Sequence, residues 1–347
     1  MIKSTTSSPV SGFGPSRRAV LVGLGAAGLS APWISQARAA EFEWKFGHGF
    51  PASHPVHVHA AAAATTIREA TGGRVKIDVF PNSQLGGDSD LLSQVRSGGV
   101  DFFSTGGLIF ATVVPIAAIS GTGFAFTDAG AVWTAMDGDL GAYIRTGFEK
   151  AGLHAFDRIW NNGFRQITTS SKPITGPQDL VNFKIRVPVS QVYISLFKAL
   201  GASPTSINLA EVYTALQTRV VDGQENPLVV AESAKFYEVQ KYCSLTNHVW
   251  DGSWIVMNAK TWRSAPDDVK AAVAKGFDDA SLRQREAVTK TNKDLEESLK
   301  SKGVTFNATQ PEPFREALRK AGFYADWKNR HGEEAWSLLE KSVGRLA

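Results

Sequence analysis

Three short strand-like runs separated by two helix-like runs fill residues 41–103, and that order narrows the possible folds more than any other feature of the chain. Glu41-Phe42-Glu43-Trp44-Lys45-Phe46 alternates charged with aromatic residues, the period-two pattern of a half-buried strand. Val56 to Ala70 is alanine-rich and helix-prone, and Thr71-Gly72-Gly73 stops it. Val75-Lys76-Ile77-Asp78-Val79-Phe80 alternates again and ends at Pro81-Asn82. A second helix is expected from Asp88 to Ser97, closed by Gly98-Gly99, before a short apolar strand from Val100 to Phe103. Strands joined through helices pair in parallel with right-handed crossovers, so the pattern predicts an α/β fold with helices covering a sheet. In such sheets ligands sit outside the carboxyl ends of the strands. That places Gly47-His48-Gly49-Phe50 and Ser104-Thr105-Gly106-Gly107 at a crevice.

The first forty residues set the compartment. Ser16-Arg17-Arg18 precedes an apolar run from Ala19 to Leu29, and Ala37-Arg38-Ala39 offers a small-x-small cleavage box. This is the build of an export signal removed near Ala39/Ala40, with an apolar run too short to remain as a membrane anchor. The paired arginines resemble a twin-arginine signal, although Val20 and Val22 stand where that signal has Phe and Lys. Gly23-Leu24-Gly25-Ala26-Ala27-Gly28 satisfies a dinucleotide-binding fingerprint by letters alone. Pro32 and the cleavage box interrupt the helix such a loop must open, so no cofactor is expected. The leader also carries the chain's apparent basicity. Of 37 basic and 33 acidic residues, Lys3, Arg17, Arg18 and Arg38 lie within residues 1–39, which hold no acid. The remainder is formally neutral and gives no reason to expect a nucleic-acid or membrane partner. Cys243 is the single cysteine, which rules out an intramolecular disulfide; Tyr242 and Leu245 beside it suggest a buried thiol.

Chemistry concentrates in residues 156–230. The segments Trp160-Asn161-Asn162-Gly163-Phe164-Arg165-Gln166 and Phe183-Lys184-Ile185-Arg186-Val187-Pro188 each hold an arginine. Glu211-Val212-Tyr213-Thr214-Ala215-Leu216-Gln217 and Val221-Asp222-Gly223-Gln224-Glu225-Asn226-Pro227 follow. Planar cations, amides and aromatics of this kind hold a small anion without reacting with it, and a guanidinium can grip a carboxylate through two parallel hydrogen bonds. Arg186 is the leading candidate because it ends an apolar strand, where an unpaired charge is costly; an internal salt bridge is the alternative. Lys184 is expected on the opposite face of that strand.

The order and wording of these segments resemble the solute-binding subunit of the tripartite ATP-independent periplasmic (TRAP) transporters, of the DctP-like kind, from about Phe42 to the C-terminal helix. The resemblance implies a two-lobed periplasmic-binding-protein fold with a cleft between the lobes and a long helix spanning both. It implies a non-catalytic receptor that captures a small organic carboxylate and hands it to TRAP membrane permease subunits. By this likeness residues 40–163 plus about 252–285 form lobe I, 164–251 plus about 286–320 form lobe II, and 321–347 a C-terminal helical segment. Further strands are expected around Phe183–Val187 and Ala202–Ile207. The long helix is capped by Ser264, carries Pro266, Asp267 and Asp268 in its first turn, and runs to about Ser301. The mature length suits two lobes with separate cores.

Residue by residue, the resemblance puts the ligand carboxylate on Arg186, with Arg165 and Asn226 beside it. Trp160 and Trp254 are candidates to wall the cleft, with core packing as the other reading. Asp88 opens a helix after Gly86-Gly87, so it either caps that helix or approaches the ligand. Tyr213 is expected to be structural. His54, His57 and His59 fit no metal-site spacing and are expected at the start of the first helix. Sialic-acid receptors of this family hold their sugar with polar side chains from the first lobe, and Gly49 and Gly106 align with two of those positions. Unmade hydrogen bonds would cost about 1–3 kcal/mol each, so a small or partly apolar acid is expected rather than a highly hydroxylated one. Receptors for C4-dicarboxylates or sugar acids, an exported ligand sensor and an organic-acid enzyme are the alternatives, the last lacking any motif for a base or metal.

Overall fold

The computed structural model describes residues 39–346, so the export signal, its paired arginines and the glycine-rich stretch lie outside the described residues. The expected βαβαβ unit opens the described fold. Strand β1 (Phe42–His48) pairs in parallel with β2 (Val75–Phe80) and with β3 (Phe102–Gly106). Helices α1 (Pro55–Ala70) and α2 (Asp88–Ser97) make the crossovers. The alanines of α1 are functional packing units: Ala60, Ala63, Ala64 and Ile67 are buried, and Ile67 rests on Gly276, where any side chain would collide with it. β3 starts two residues later than the apolar run, because Asp101 turns outward to accept the Lys45 backbone N–H at 2.8 Å.

The sheet continues from this unit. β10 (Trp250–Asn258) runs antiparallel to β3, to the short β4 (Leu153–Ala155) and to β5 (Trp160–Thr169). β5 pairs antiparallel with β8 (Gly223–Pro227) and β9 (Tyr242–Leu245). β8 is parallel to β6 (Lys184–Val187), which is parallel to β7 (Ser203–Ser206), and β9 is parallel to β11 (Thr305–Ala308). The spatial order is β2-β1-β3-β10-β5-β8-β6-β7. β5 and β10 therefore carry the sheet from the first half of the chain to the second. Their pairing slips between Asp251 and Gly252, beside Gly163 at φ +96°, a backbone that only glycine adopts without strain.

Two hydrophobic cores lie on opposite faces of this continuous sheet. Trp254 and Val256 of β10 enter one, Ile255 and Met257 the other; Phe103 and Phe102 of β3 divide in the same way. The cores thus divide by sheet face, and each draws residues from both halves of the chain.

The long helix spans Asp267–Ser301. Ser264 does not cap it, contrary to expectation. Ser264 ends the preceding helix Ala259–Ser264 and donates to the Thr261 carbonyl, and Pro266 takes the cap position. Midway, Gln284 clasps both backbone groups of Asn161 on β5, at 2.8 and 2.6 Å. Arg285 donates to the Ile159 carbonyl and makes a bidentate pair with Asp137. The C-terminal helices Pro311–Lys320, Phe323–His331 and Glu333–Val343 bury Phe314, Leu318, Tyr324 and Trp336 in the first core. No described helix is long and apolar enough to cross a membrane.

Candidate functional site

The two arginines singled out in the sequence come to the same place by different routes. Arg165 projects from β5, and Arg186 from β6, which is separated from β5 by β8. Both are buried, yet their environments are opposite.

Arg165 is fully engaged. Its Nε and Nη2 donate to the Glu225 carboxylate at 2.5 and 2.8 Å, Nη1 donates to Asp251 at 2.7 Å, and Nη2 also reaches the Glu225 carbonyl and Asn226 Oδ1. The guanidinium lies 5.3 Å from the centre of the Tyr193 ring. Burial acts to discharge Arg165, but Glu225, Tyr193 and Asp251 outweigh it and hold the pKa above its ordinary value. Burial likewise pushes Glu225 up, and Arg165 and the His248 ring at 3.0 Å overcome it, leaving that carboxyl below the usual range. This is a closed ion network with its charges already answered.

Arg186 is 2 % exposed and makes no ion pair among the described residues. Its Nε and Nη2 both donate to the Ile207 carbonyl, and the side chain lines the cavity. Burial, reinforced by Arg165 and opposed by Glu225 and Asp88, lowers its pKa to about 10. A buried cation without a counter-ion costs several kcal/mol; a carboxylate from outside would answer it.

Asp88 completes the asymmetry. It opens α2 and is 7 % exposed, accepting from Thr105 at 3.5 Å and from the Leu209 backbone without an ion pair among the described residues. Burial raises its pKa against the pull of Arg186. Asp88 does not cap α2; Asp90 accepts the Gly87 N–H instead.

The cavity these groups line is about 40 Å³, room for little more than water. Its wall is completed by Phe50, Leu108, Ile109 and Pro188. Larger hollows of about 370, 430 and 510 Å³ lie elsewhere, but charge rather than size distinguishes the site. Beside it the Leu209 backbone meets Asp88 and the Ser89 hydroxyl donates to Asn208 at 3.3 Å. Both contacts join α2 to the start of the helix Leu209–Gln217.

Arg165, Arg186, Asn226, Asp88 and Gly106 all line the cavity, and Gly49 lies beside Asp88. Asn226 spends its amide inward, on Arg165 and on Gln224. Of the two readings weighed for Trp160 and Trp254, cleft wall and core packing, the second holds: both are fully buried in the cores, because the strand alternation turns them to the sheet faces. Tyr213 is structural and donates to Glu238. Lys184 is exposed at the start of β6; two residues from Arg186, it shares that residue's side of the strand by the period of two, which corrects the opposite-face expectation. His54 caps α1 by accepting the Val56 N–H, and among the described residues no group of three or more His, Cys, Asp or Glu is arranged to hold a metal ion.

Sequence reasoning missed Asp251, Tyr193 and His248 and gave Glu225 no part in the site. An acid inside the apolar run Val249-Trp250-Asp251 was the available signal for Asp251. The glycines also read differently in three dimensions. A Cβ on Gly49 would stand 3.2 Å from Asp88 Oδ1, and one on Gly106 2.9 Å from Asp251 Oδ1. Asp88 and Asp251 supply polar atoms beside both glycines, so the argument from unmade hydrogen bonds for a small or partly apolar acid loses its ground.

The chain belongs to the family of bacterial extracellular solute-binding proteins, family 7 (DctP), whose model matches residues 46–325. It is 33 % identical over 287 residues to the 2,3-diketo-L-gulonate-binding periplasmic protein YiaO of Escherichia coli (strain K12), covering 83 % of this chain and 87 % of that one. A TRAP periplasmic solute-binding protein from Sulfurospirillum deleyianum with bound succinate superposes with a TM-score of 0.81 at 31 % identity, covering 87 % of this chain and 98 % of that one. The sugar acid binding protein DctPAm from Advenella mimigardefordensis, in complex with galactonate, gives 0.84 at 28 % identity, covering 89 % and 100 %. The fold is that of these periplasmic receptors.

Proposed function

We propose that this protein captures a small organic carboxylate on Arg186 and delivers it to the membrane permease of a TRAP transporter. The observation that carries the reading is the contrast between the two arginines: Arg165 is answered by Glu225 and Asp251, whereas Arg186 is buried with its charge unanswered. A ligand carboxylate on the Arg186 guanidinium supplies the missing counter-charge. Arg165 and Asn226 act mainly by holding the neighbouring wall. The chain is exported and its leader removed near Ala39/Ala40, as befits a family of periplasmic receptors.

The cavity of about 40 Å³ must open to admit an acid. Residues 40–163 plus about 252–285 move as lobe I against 164–251 plus about 286–320 as lobe II, with 321–347 carried along. The polar contacts beside the cavity are worth little individually, while β5, β10 and the long helix link the two halves. Closure on the ligand excludes water and strengthens the Arg186 pair. The permease then distinguishes the loaded from the empty form through contacts made only when closed.

Thermal unfolding of the mature protein against organic acids tests the reading. A ligand at one hundred times its Kd adds about 2.7 kcal/mol of stability. A selective shift that disappears in Arg186→Met supports carboxylate capture; an undiminished shift in that variant overturns it.

A further inference from the structure

Relatives of this chain hold acids as different as succinate and galactonate, so family membership leaves the ligand class open. The charges around this particular cavity narrow it. Two guanidiniums, Arg165 and Arg186, face three carboxyl groups, Asp88, Glu225 and Asp251. Arg165 is consumed by Glu225 and Asp251, so Arg186 is the one unpaired cation among the described lining residues. Beyond Phe50, burial holds His48 and His54 at pKa values of about 3, and they bring no positive charge. The other charged side chains at the cavity, Asp88 and Asp251, are acceptors. Asp88 has only the weak Thr105 contact and the Leu209 N–H. Asp251 commits Oδ2 to Arg165 and Asn162, while Oδ1 is turned to the space left by Gly106.

We infer that the ligand is a monocarboxylate bearing an O–H or N–H donor further along its chain, taken by the Asp88 carboxyl and Asp251 Oδ1, and that these two acids reject dicarboxylates. The inference rests on the reading that the ligand carboxylate docks on Arg186. A hydroxyl or ammonium group gives buried acceptors the donors they lack, and a site built for such a donor discriminates strongly against analogues without it. The second carboxylate of a diacid meets two acids and no free cation. It can enter only with a proton, on itself or on Asp88, whose carboxyl burial already favours in the neutral form. Gly49 and Gly106 belong to the same design, because a side chain at either would press on the two acceptors.

Matched acids test this by titration calorimetry at pH 8, using mature protein stripped of co-purified ligand by unfolding and refolding. One series is butyrate, 4-hydroxybutyrate, 4-aminobutyrate and succinate; the other is gluconate against glucarate. In whichever series binds, the donor-bearing monoacid is expected to bind at least tenfold more tightly than its diacid partner. The hydroxy and amino arms separate an O–H from an N–H ligand. Asp88→Asn, nearly the same shape without the charge, is expected to narrow the preference over the diacid by about tenfold. Should that variant not fold, the wild-type ratio decides alone. A diacid that binds as tightly as the monoacid, through Arg186, overturns the inference and leaves the carboxylate reading standing. Binding of none of these acids overturns both.

Discussion

Replacing each arginine by methionine, which keeps an apolar stem but removes the guanidinium, should produce effects of opposite sign. For Arg186, burial lowers the pKa to about 10, equivalent to about 3 kcal/mol of destabilisation carried by the charge in the folded state. The sign follows from linkage: a base with a depressed folded pKa weakens the fold wherever it is charged, so the cost is present in full at neutral pH. Methionine removes that cost. It also strips the Ile207 carbonyl of both side-chain donors, a loss of about 1–3 kcal/mol. The ligand-free Arg186→Met protein should therefore be between unchanged and about 2 kcal/mol more stable. Arg165→Met leaves Glu225 and Asp251 buried without their cation and should lose about 3–5 kcal/mol. Binding should reverse the ranking for Arg186, with a loss of about 2–5 kcal/mol, or roughly 30- to 4,000-fold in Kd. Urea unfolding of both ligand-free variants and calorimetry with the best acid provide the two readouts. If Arg186→Met proves as unstable as Arg165→Met and still binds normally, Arg186 is an internal strut and the argument from its missing counter-ion fails.

Other consequences are open to simpler checks. Glu225, held low by Arg165 and His248 against burial, contributes stability that is present above the ordinary carboxylate pKa and lost as pH falls through its own lower value. Asp88, raised by burial, weakens the fold while charged, and its protonation as pH falls from neutral relieves that cost. Tm measured from neutral to mildly acid pH should thus rise more in the wild type than in Asp88→Asn; a steeper rise in the variant contradicts the assignment. Gly163→Ala should cost about 1–2 kcal/mol, because φ is +96° and the new Cβ would stand 2.9 Å from Asn292 Nδ2; an unchanged urea midpoint refutes this. Cys243 is buried and its thiol pKa is pushed far up, so thiol reagents should label it only after unfolding. Rapid labelling of the native protein would count against that burial.

The sequence by itself determined the local grammar. Alternation at Val75–Phe80, the helix Asp88–Ser97 and the long helix ending at Ser301 are legible because period, glycine stops and turn residues act within a few residues. It also marked Arg186, because a charge at the end of Phe183-Lys184-Ile185 needs a reason, and ordered motifs tied that position to a family of receptors. Ser264 was misread because it belongs to the last turn of the preceding helix, two residues short of the cap position that Pro266 holds. Tertiary structure alone decided which arginine was answered. Arg165 and Arg186 look alike as letters; their difference lies in Glu225 and Asp251, brought to Arg165 from β8 and β10. Pairing of charges across strands distant in sequence depends on register and twist, which no local pattern encodes. The same is true of Gly49 and Gly106, whose missing side chains acquire meaning only from the Asp88 and Asp251 oxygens that stand against them.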